Sequence, residues 1–251
     1  MSTSTNGDTG LCVELIDQPD DIDHAFDSIS KAFGHQAQDG LWIAMNPNWD
    51  TSEGKKAGAA RMISRWRART KDMNGNPNLM FLKATMPSSK QGCRVIAGFA
   101  IWVQASAVEG YGDPPVENLK ESMDVEALFP KNEPEQRYVC QAIGSLHRRR
   151  NQVIKEKATE ARPAVFILDM CAVDPDFQRK GIAKALTQWG LDEAKLRGIP
   201  ECITEASAMG RHVYAKMGFK PEGSEIQYTV DAEFTDRERP LNLFMRTGKT
   251  A

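Results

Sequence analysis

Nothing in this chain approaches the run of about 20 apolar residues that a membrane-spanning helix requires, so no contact with a bilayer interior is expected. Cysteine is sparse and scattered, at positions 12, 93, 140, 171 and 202, with neither paired metal-ligand spacing nor a dense disulfide framework. Reduced thiols follow. The opening ten residues are polar and lack the apolar centre of a secretory signal, which makes a cytoplasmic location the expectation. Neither sign of charge prevails: 32 Lys plus Arg against 34 Asp plus Glu leave a balance of -2, so no global field favours nucleic acid or an anionic membrane. His24, His35, His147 and His212 stand apart, and no metal site is supported. The phosphate-loop pattern Gly-x-x-x-x-Gly-Lys-Ser/Thr is missing, and no internal repeat occurs.

Against these absences stands one informative stretch, Val173-Asp174-Pro175-Asp176-Phe177-Gln178-Arg179-Lys180-Gly181-Ile182-Ala183. Residues 164–173 before it are almost continuously apolar, as in a strand covered on both faces, and Pro175 ends that strand. Ile182, Ala185, Leu186, Trp189 and Ala194 then recur at helical spacing, and Gly198 and Pro200 mark the stop. A short basic turn that opens a helix gathers unpaired N–H groups at one point, which suits an anionic diphosphate. Gly181, without a Cβ, lets a ligand approach the backbone.

Gln178-Arg179-Lys180-Gly181-Ile182-Ala183 fits Gln/Arg-x-x-Gly-x-Gly/Ala and resembles the signature of the GNAT superfamily of acyl-CoA-dependent N-acyltransferases. Residues 202–206, which read as a second strand, and then Tyr214-Ala215-Lys216-Met217-Gly218-Phe219, similar to that family's Tyr-x-x-x-Gly-Phe element, follow in the same order. The resemblance is specific over residues 164–230 and extends to element order over 11–104; the insertion before Ala164 and the Glu205-Ala206-Ser207 run are similar to fungal members. It implies an α/β (α+β) fold with a mostly antiparallel sheet, splayed after its fourth strand, and helices on both faces. It also implies acetyl-CoA as co-substrate. The main chain of Cys171, Ala172 and Val173 would pair with the pantetheine arm. Gln178, Arg179, Lys180, Gly181, Ile182, Ala183 and Lys184 would hold the pyrophosphate, chiefly through backbone amides.

Along the rest of the chain, residues 11–16 read as a strand, and Pro19-Asp20-Asp21 opens a helix with Ile22, Phe26, Ile29 and Phe33 facing inward. Thr51 or Ser52 caps a helix running to about Thr70, with Met62, Ile63 and Trp66 toward the core. Strands at 79–85 and 93–104, separated by Lys90-Gln91-Gly92, read as a hairpin. Residues 105–163 form an insertion, ending in a charged helical pattern over 133–161, that either covers a binding cleft or forms a dimer surface. Strands are expected again at 226–230 and 241–245. The domain plan is a disordered tail at 1–10 and a single domain over 11–251.

Amide formation from a thioester needs a neutral amine, a donor for the oxyanion and a proton for the leaving thiolate. A backbone N–H near Cys171 suits the oxyanion. Tyr214 is the expected general acid, since the resembled family places a tyrosine there; the alternative is a half-buried tyrosine that caps the core. Asp169 interrupts an apolar strand, and strict alternation puts it on the face of Ile167 and Cys171; it is either a base with a raised pKa or a buried acceptor for an Arg or backbone donor. Glu205 carries the same two readings. Cys171 itself reads as a small apolar residue rather than a nucleophile. The Arg148-Arg149-Arg150 run reads as a solvated helix face with no site assigned, and Trp42, Trp49 and Trp66 either line a substrate pocket or fill the core. The function expected is acetyl or short acyl transfer to a primary amine of a small molecule. Alternatives are a protein lysine or N-terminal acetyltransferase and an inactive CoA-binding sensor.

Overall fold

The computed structural model describes residues 4–6, 10–88 and 92–248. Its centre is an eight-stranded sheet built from β1 (Ser4–Asn6), β2 (Leu11–Leu15), β3 (Leu79–Pro87), β4 (Arg94–Ser106), β5 (Ala164–Val173), β6 (Cys202–Ala206), β7 (Lys220–Glu225) and β8 (Leu243–Arg246). The spatial order is β1-β2-β3-β4-β5-β6-β8-β7; among these described strands β5 and β6 pair parallel and the other neighbours antiparallel. The helices are α1 (Asp20–Ile29), α2 (Gly40–Met45), α3 (Ser52–Arg67), α4 (Val125–Leu128), α5 (Glu133–Glu156), α6 (Ile182–Leu196) and α7 (Arg211–Lys216). The mixed, mostly antiparallel sheet expected from the sequence is present. Within the segment expected to be a disordered tail, β1 pairs with β2, while residues 1–3 and 7–9 lie outside the described residues, as do Lys90 and Gln91 of the expected hairpin turn.

Apolar layers cover both faces of the sheet. On one, Ile182 and Leu186 of α6 and Tyr214 of α7 pack on Trp102, Phe166 and Leu168. On the other, Phe26 and Ile29 of α1, Trp66 of α3, and Val153 and Ile154 of α5 pack on Phe81, Phe99, Ile101 and Ile167. A third cluster joins the insertion to the rest: Val125, Tyr138 and Val139 meet Leu41 of α2 and Phe234. Local chemistry sets the helix starts, with Thr51 Oγ1 accepting the Gly54 N–H at 3.0 Å and Asn132 Oδ1 that of Glu135 at 3.3 Å. Beyond α1 the chain widens into a π-helical segment, Ser30–Gln36, where the Ala37 N–H donates to the Ala32 carbonyl at 3.0 Å.

Two departures from the sequence reading have physical causes. The strand expected at 226–230 lies earlier, at β7, an exposed edge strand whose Lys-Pro-Glu-Gly-Ser-Glu sequence has no apolar alternation because it pairs only with β8. Tyr228 and Val230 instead pack on the third cluster. The other is a bulge in β5: pairing with β4 passes from Trp102↔Leu168 to Ile101↔Met170, leaving Asp169 as the extra residue. Alternation therefore resets. Ile167 and Met170 face the α1 and α3 side, whereas Leu168 and Cys171 face α6, so Asp169 and Cys171 do not share a face as strict alternation required.

Gly190 of α6 fits against the Trp102 ring, where an added Cβ would lie 1.9 Å from a ring atom. Gly190→Ala should therefore lose roughly 1–2 kcal/mol despite a helix-propensity gain of about 1 kcal/mol, because overpacking outweighs it. Urea unfolding measures this, and a variant as stable as the parent contradicts the close contact.

Candidate active site

Strand β6 accompanies β5 for only a short distance. Parallel pairing ends at Leu168↔Thr204, where Thr204 Oγ1 donates to the Leu168 carbonyl at 2.9 Å, and the strands then part. The Asp174 N–H donates to the Ala97 carbonyl at 2.9 Å, which fixes the phase of the β4–β5 ladder. Phe99 and Ala172 exchange bonds, so Cys171 and Val173 turn their N–H and C=O groups to the opposite, opened edge. Ala172, expected to act alongside them, has its main chain committed to β4. Gln178 Nε2 donates to the Val173 carbonyl at 3.3 Å, and the Cys171 N–H faces the opening.

The signature turn is held from its side. Asp174, almost fully buried, accepts the Asp176 N–H at 3.0 Å and pairs with Lys31 of the π-helical segment at 2.7 Å. Gln178 Nε2 also donates to Gln36 Oε1 at 2.7 Å. Arg179 (φ 61°) and Gly181 (φ 81°) are both left-handed, an arrangement that turns N–H groups into one concavity. At Gly181 an added Cβ would meet nothing within 4 Å, so backbone conformation rather than crowding selects glycine there. No side chain caps α6, and the N–H groups of Ile182, Ala183 and Lys184 are left for an anion. The Ile182 side chain is core, packed over Gly98, and only its amide can take part. Arg179, Lys180 and Lys184 are exposed; Lys180 Nζ stands 4.8 Å over the Phe177 ring.

Tyr214 reaches the same edge from α7. Its phenol is hydrogen-bonded to the Cys171 thiol, and burial holds its pKa well above the ordinary phenol value, so it keeps its proton. Burial likewise pushes the Cys171 thiol up to about 12, which leaves it a neutral side chain and not a nucleophile.

Asp169 and Glu205 come together around one arginine. Arg150 of α5 lies between them: Nη1 pairs with Asp169 Oδ1 at 2.6 Å, and Nε and Nη2 grip the Glu205 carboxylate. Arg65 of α3 takes the other Asp169 oxygen at 2.9 Å. Burial pushes the Asp169 carboxyl up, but Arg65 and Arg150 together outweigh it and hold it well below the usual carboxylate range. The raised pKa expected of a base is thus corrected to a depressed one, and the alternative reading as an acceptor for Arg is the one realised. One turn before Arg150, half-buried His147 is pushed down to about 3 by burial and by Arg150 and Arg65, which keeps it neutral. The sequence reading assigned neither residue a role. A signal existed, since Arg150 falls on the helical stripe of Val139, Leu146 and Val153. Of the tryptophans, Trp66 is core and donates to the Ile16 carbonyl at 3.3 Å; Trp42 stacks on Phe33 and meets Trp49 edge-on at 5.7 Å.

Arg150→Met should cost about 3–5 kcal/mol by stranding the Glu205 carboxylate and leaving Asp169 to Arg65 alone, with much of the loss recovered in the triple variant that adds Asp169→Asn and Glu205→Gln. Equal stability of Arg150→Met and parent contradicts the bridge. His147 binds its proton near 6.5 when unfolded and near 3 when folded, so unfolding takes up protons between those values and stability falls as pH drops through that window. In His147→Gln the fall should be shallower over the same range, as thermal melts in a pH series will read.

Residues 141–230 match the family described as Acetyltransferase (GNAT) domain. No curated protein matches the chain significantly in sequence. Among solved structures, a mosquito arylalkylamine N-acetyltransferase like 5b aligns over 94% of this chain and 98% of its own at 13% identity, with a TM-score of 0.59. Arylalkylamine N-acetyltransferase 2 of Aedes aegypti aligns over 94% and 97% at 18% identity and a TM-score of 0.54. A histone acetyltransferase HPA2 and related acetyltransferase of Corynebacterium glutamicum aligns over 100% and 98% at 17% identity and a TM-score of 0.51. At such identities these likenesses show the fold.

Proposed function

We propose that this chain, an acyltransferase with a GNAT acetyltransferase domain and acetyl-CoA as co-substrate, transfers the acetyl group directly to the primary amine of a small molecule. The observation that carries the reading is the opened β5 edge, where the Cys171 N–H and the protonated Tyr214 phenol meet. Acetyl-CoA supplies an activated acyl carbon and a thiolate leaving group. The residues present fit it: the concavity at Arg179 and Gly181 with the bare start of α6 holds the diphosphate, and the free edge of β5 receives the pantetheine. The Cys171 N–H would then stand where an acyl oxygen becomes negative as the C–N bond forms; as the C–S bond breaks Tyr214 would give its proton to the departing sulfur, and the proton the amine nitrogen sheds would restore the phenol through solvent. Arg179, Lys180 and Lys184 add attraction for the anion without fixing its place.

A small acceptor is favoured by what surrounds Glu205. The insertion helix α5 is laced to the segment after β7: Arg148 Nη2 donates to Thr229 Oγ1 at 3.1 Å, the Asp231 N–H to Gln141 Oε1 at 2.9 Å, and Arg137 pairs with Asp231 at 2.7 Å. The insertion, tied down in this way, favours a small acceptor over a polypeptide in this reading. In this reading residues 11–251 act as one domain with the 105–163 insertion as the cover, and the five free cysteines suit the cytoplasm.

Release of CoA thiol from acetyl-CoA should rise with small primary amines and not with Lys-containing polypeptides; the reverse pattern, or binding without turnover, overturns the proposal. Tyr214→Phe should lower kcat about a hundredfold and leave the KM for acetyl-CoA unchanged. Unaltered turnover removes Tyr214 from the chemistry.

A further inference from the structure

Two carboxylates stand in a turn that is built for an anion. Asp174 and Asp176 lie a few residues before the concavity at Arg179 and Gly181, and left uncompensated they would repel a diphosphate. The cation that compensates them comes from outside the signature. Lys31 of the π-helical segment Ser30–Gln36 reaches Asp174 Oδ2 at 2.7 Å and Asp176 Oδ2 at 3.4 Å. Its hydrogen bond to Asp174 raises the Lys31 pKa against the opposing effect of burial, so the ammonium keeps its charge. Asp174 is buried, and its other oxygen accepts the Asp176 N–H at 3.0 Å, which makes this pair part of the frame of the turn.

The same segment makes a second contact. Gln36 and Gln178 exchange amide hydrogen bonds, Gln178 Nε2 donating to Gln36 Oε1 at 2.7 Å and Gln36 Nε2 to Gln178 Oε1 at 3.2 Å. The remaining N–H of Gln178 goes to the Val173 carbonyl at 3.3 Å. Gln36 thus fixes the direction of the first side chain of the signature.

The π geometry allows both contacts from one segment. In an α-helix of about 3.6 residues per turn, positions five apart point about 140° away from each other. A π turn closes on residues five apart, as the bond from the Ala37 N–H to the Ala32 carbonyl does here, and brings such positions to the same side. Lys31 and Gln36 are separated in this way. The widened turn is wedged in place, since a Cβ added at Gly34 would lie 2.2 Å from a Trp49 ring atom and His35 meets the same ring edge-on at 4.7 Å.

We infer that Lys31 and Gln36 are positioning residues for the diphosphate of acetyl-CoA: Lys31 neutralises the carboxylate pair of the turn, and Gln36 holds the signature through Gln178. This role rests on acetyl-CoA binding at the turn, as the proposed function requires, but not on which acceptor is used, and binding alone reads it.

The test compares acetyl-CoA with S-acetylpantetheine, which keeps the thioester arm and lacks the diphosphate, in NMR titrations of the full chain that read weak and tight binding alike. Lys31→Met should weaken acetyl-CoA about tenfold and leave S-acetylpantetheine unchanged, and Lys31→Arg should restore the parent affinity. Gln36→Ala should weaken acetyl-CoA about threefold, again without effect on S-acetylpantetheine. Gln36 is exposed, so the melting temperature of that variant should stay at the parent value. Equal weakening of the two ligands, or acetyl-CoA held by both Lys31→Met and Gln36→Ala as tightly as by the parent, overturns the inference. A parent that binds acetyl-CoA with the help of Lys31 but acetylates no amine would refute the proposed function and leave this role standing. Acetyl transfer to small amines with acetyl-CoA affinity unmoved by either substitution would do the opposite.

Discussion

Arg150 joins β5 and β6 at the place where they separate. Past Leu168 and Thr204 both strands give up mutual hydrogen bonds, and a guanidinium shared by Asp169 and Glu205 spans the gap. Buried ion pairs of this kind add little net stability, because desolvation offsets attraction, but removing one partner is severe. What the bridge secures is geometry. With its planar fork matched to one carboxylate and its remaining nitrogen to the other, Arg150 sets how far β6 stands from β5, and so keeps the Cys171 N–H unpaired and available.

The bulge at Asp169 divides the labour between the two faces. Without the extra residue, Asp169 and Cys171 would point the same way, and the arginine network would crowd the edge that Tyr214 serves. As built, Tyr214 lies with α6 and α7, while Arg65, Arg150 and His147 gather under α3 and α5. The insertion contributes to the second side directly, since Arg150 and His147 both belong to α5.

The sequence disclosed what depends on local order. An apolar strand, a turn requiring a left-handed glycine at 181, and a helix with a regular stripe are written in consecutive residues, and each appears where expected. Tyr214 was marked only by the resemblance of Tyr214-Ala215-Lys216-Met217-Gly218-Phe219 to the family's Tyr-x-x-x-Gly-Phe element. The carboxylate chemistry was not. Asp169 carries no mark of the bulge, which arises from pairing with β4, and its low pKa comes from arginines distant in the chain. Strand β7 leaves no mark in the sequence because an exposed edge strand imposes no alternation.

The central claim is that the β5 edge at Cys171 is held open for acetyl-CoA. Amide hydrogen exchange, resolved residue by residue by NMR, tests it most directly. The Ala172 amide, bonded to β4, should exchange slowly in the free protein and remain so. The Cys171 and Val173 amides should exchange quickly when free and become protected when acetyl-CoA is added. Protection of all three amides before addition, or no change at Cys171 on saturation with the thioester, would contradict the account.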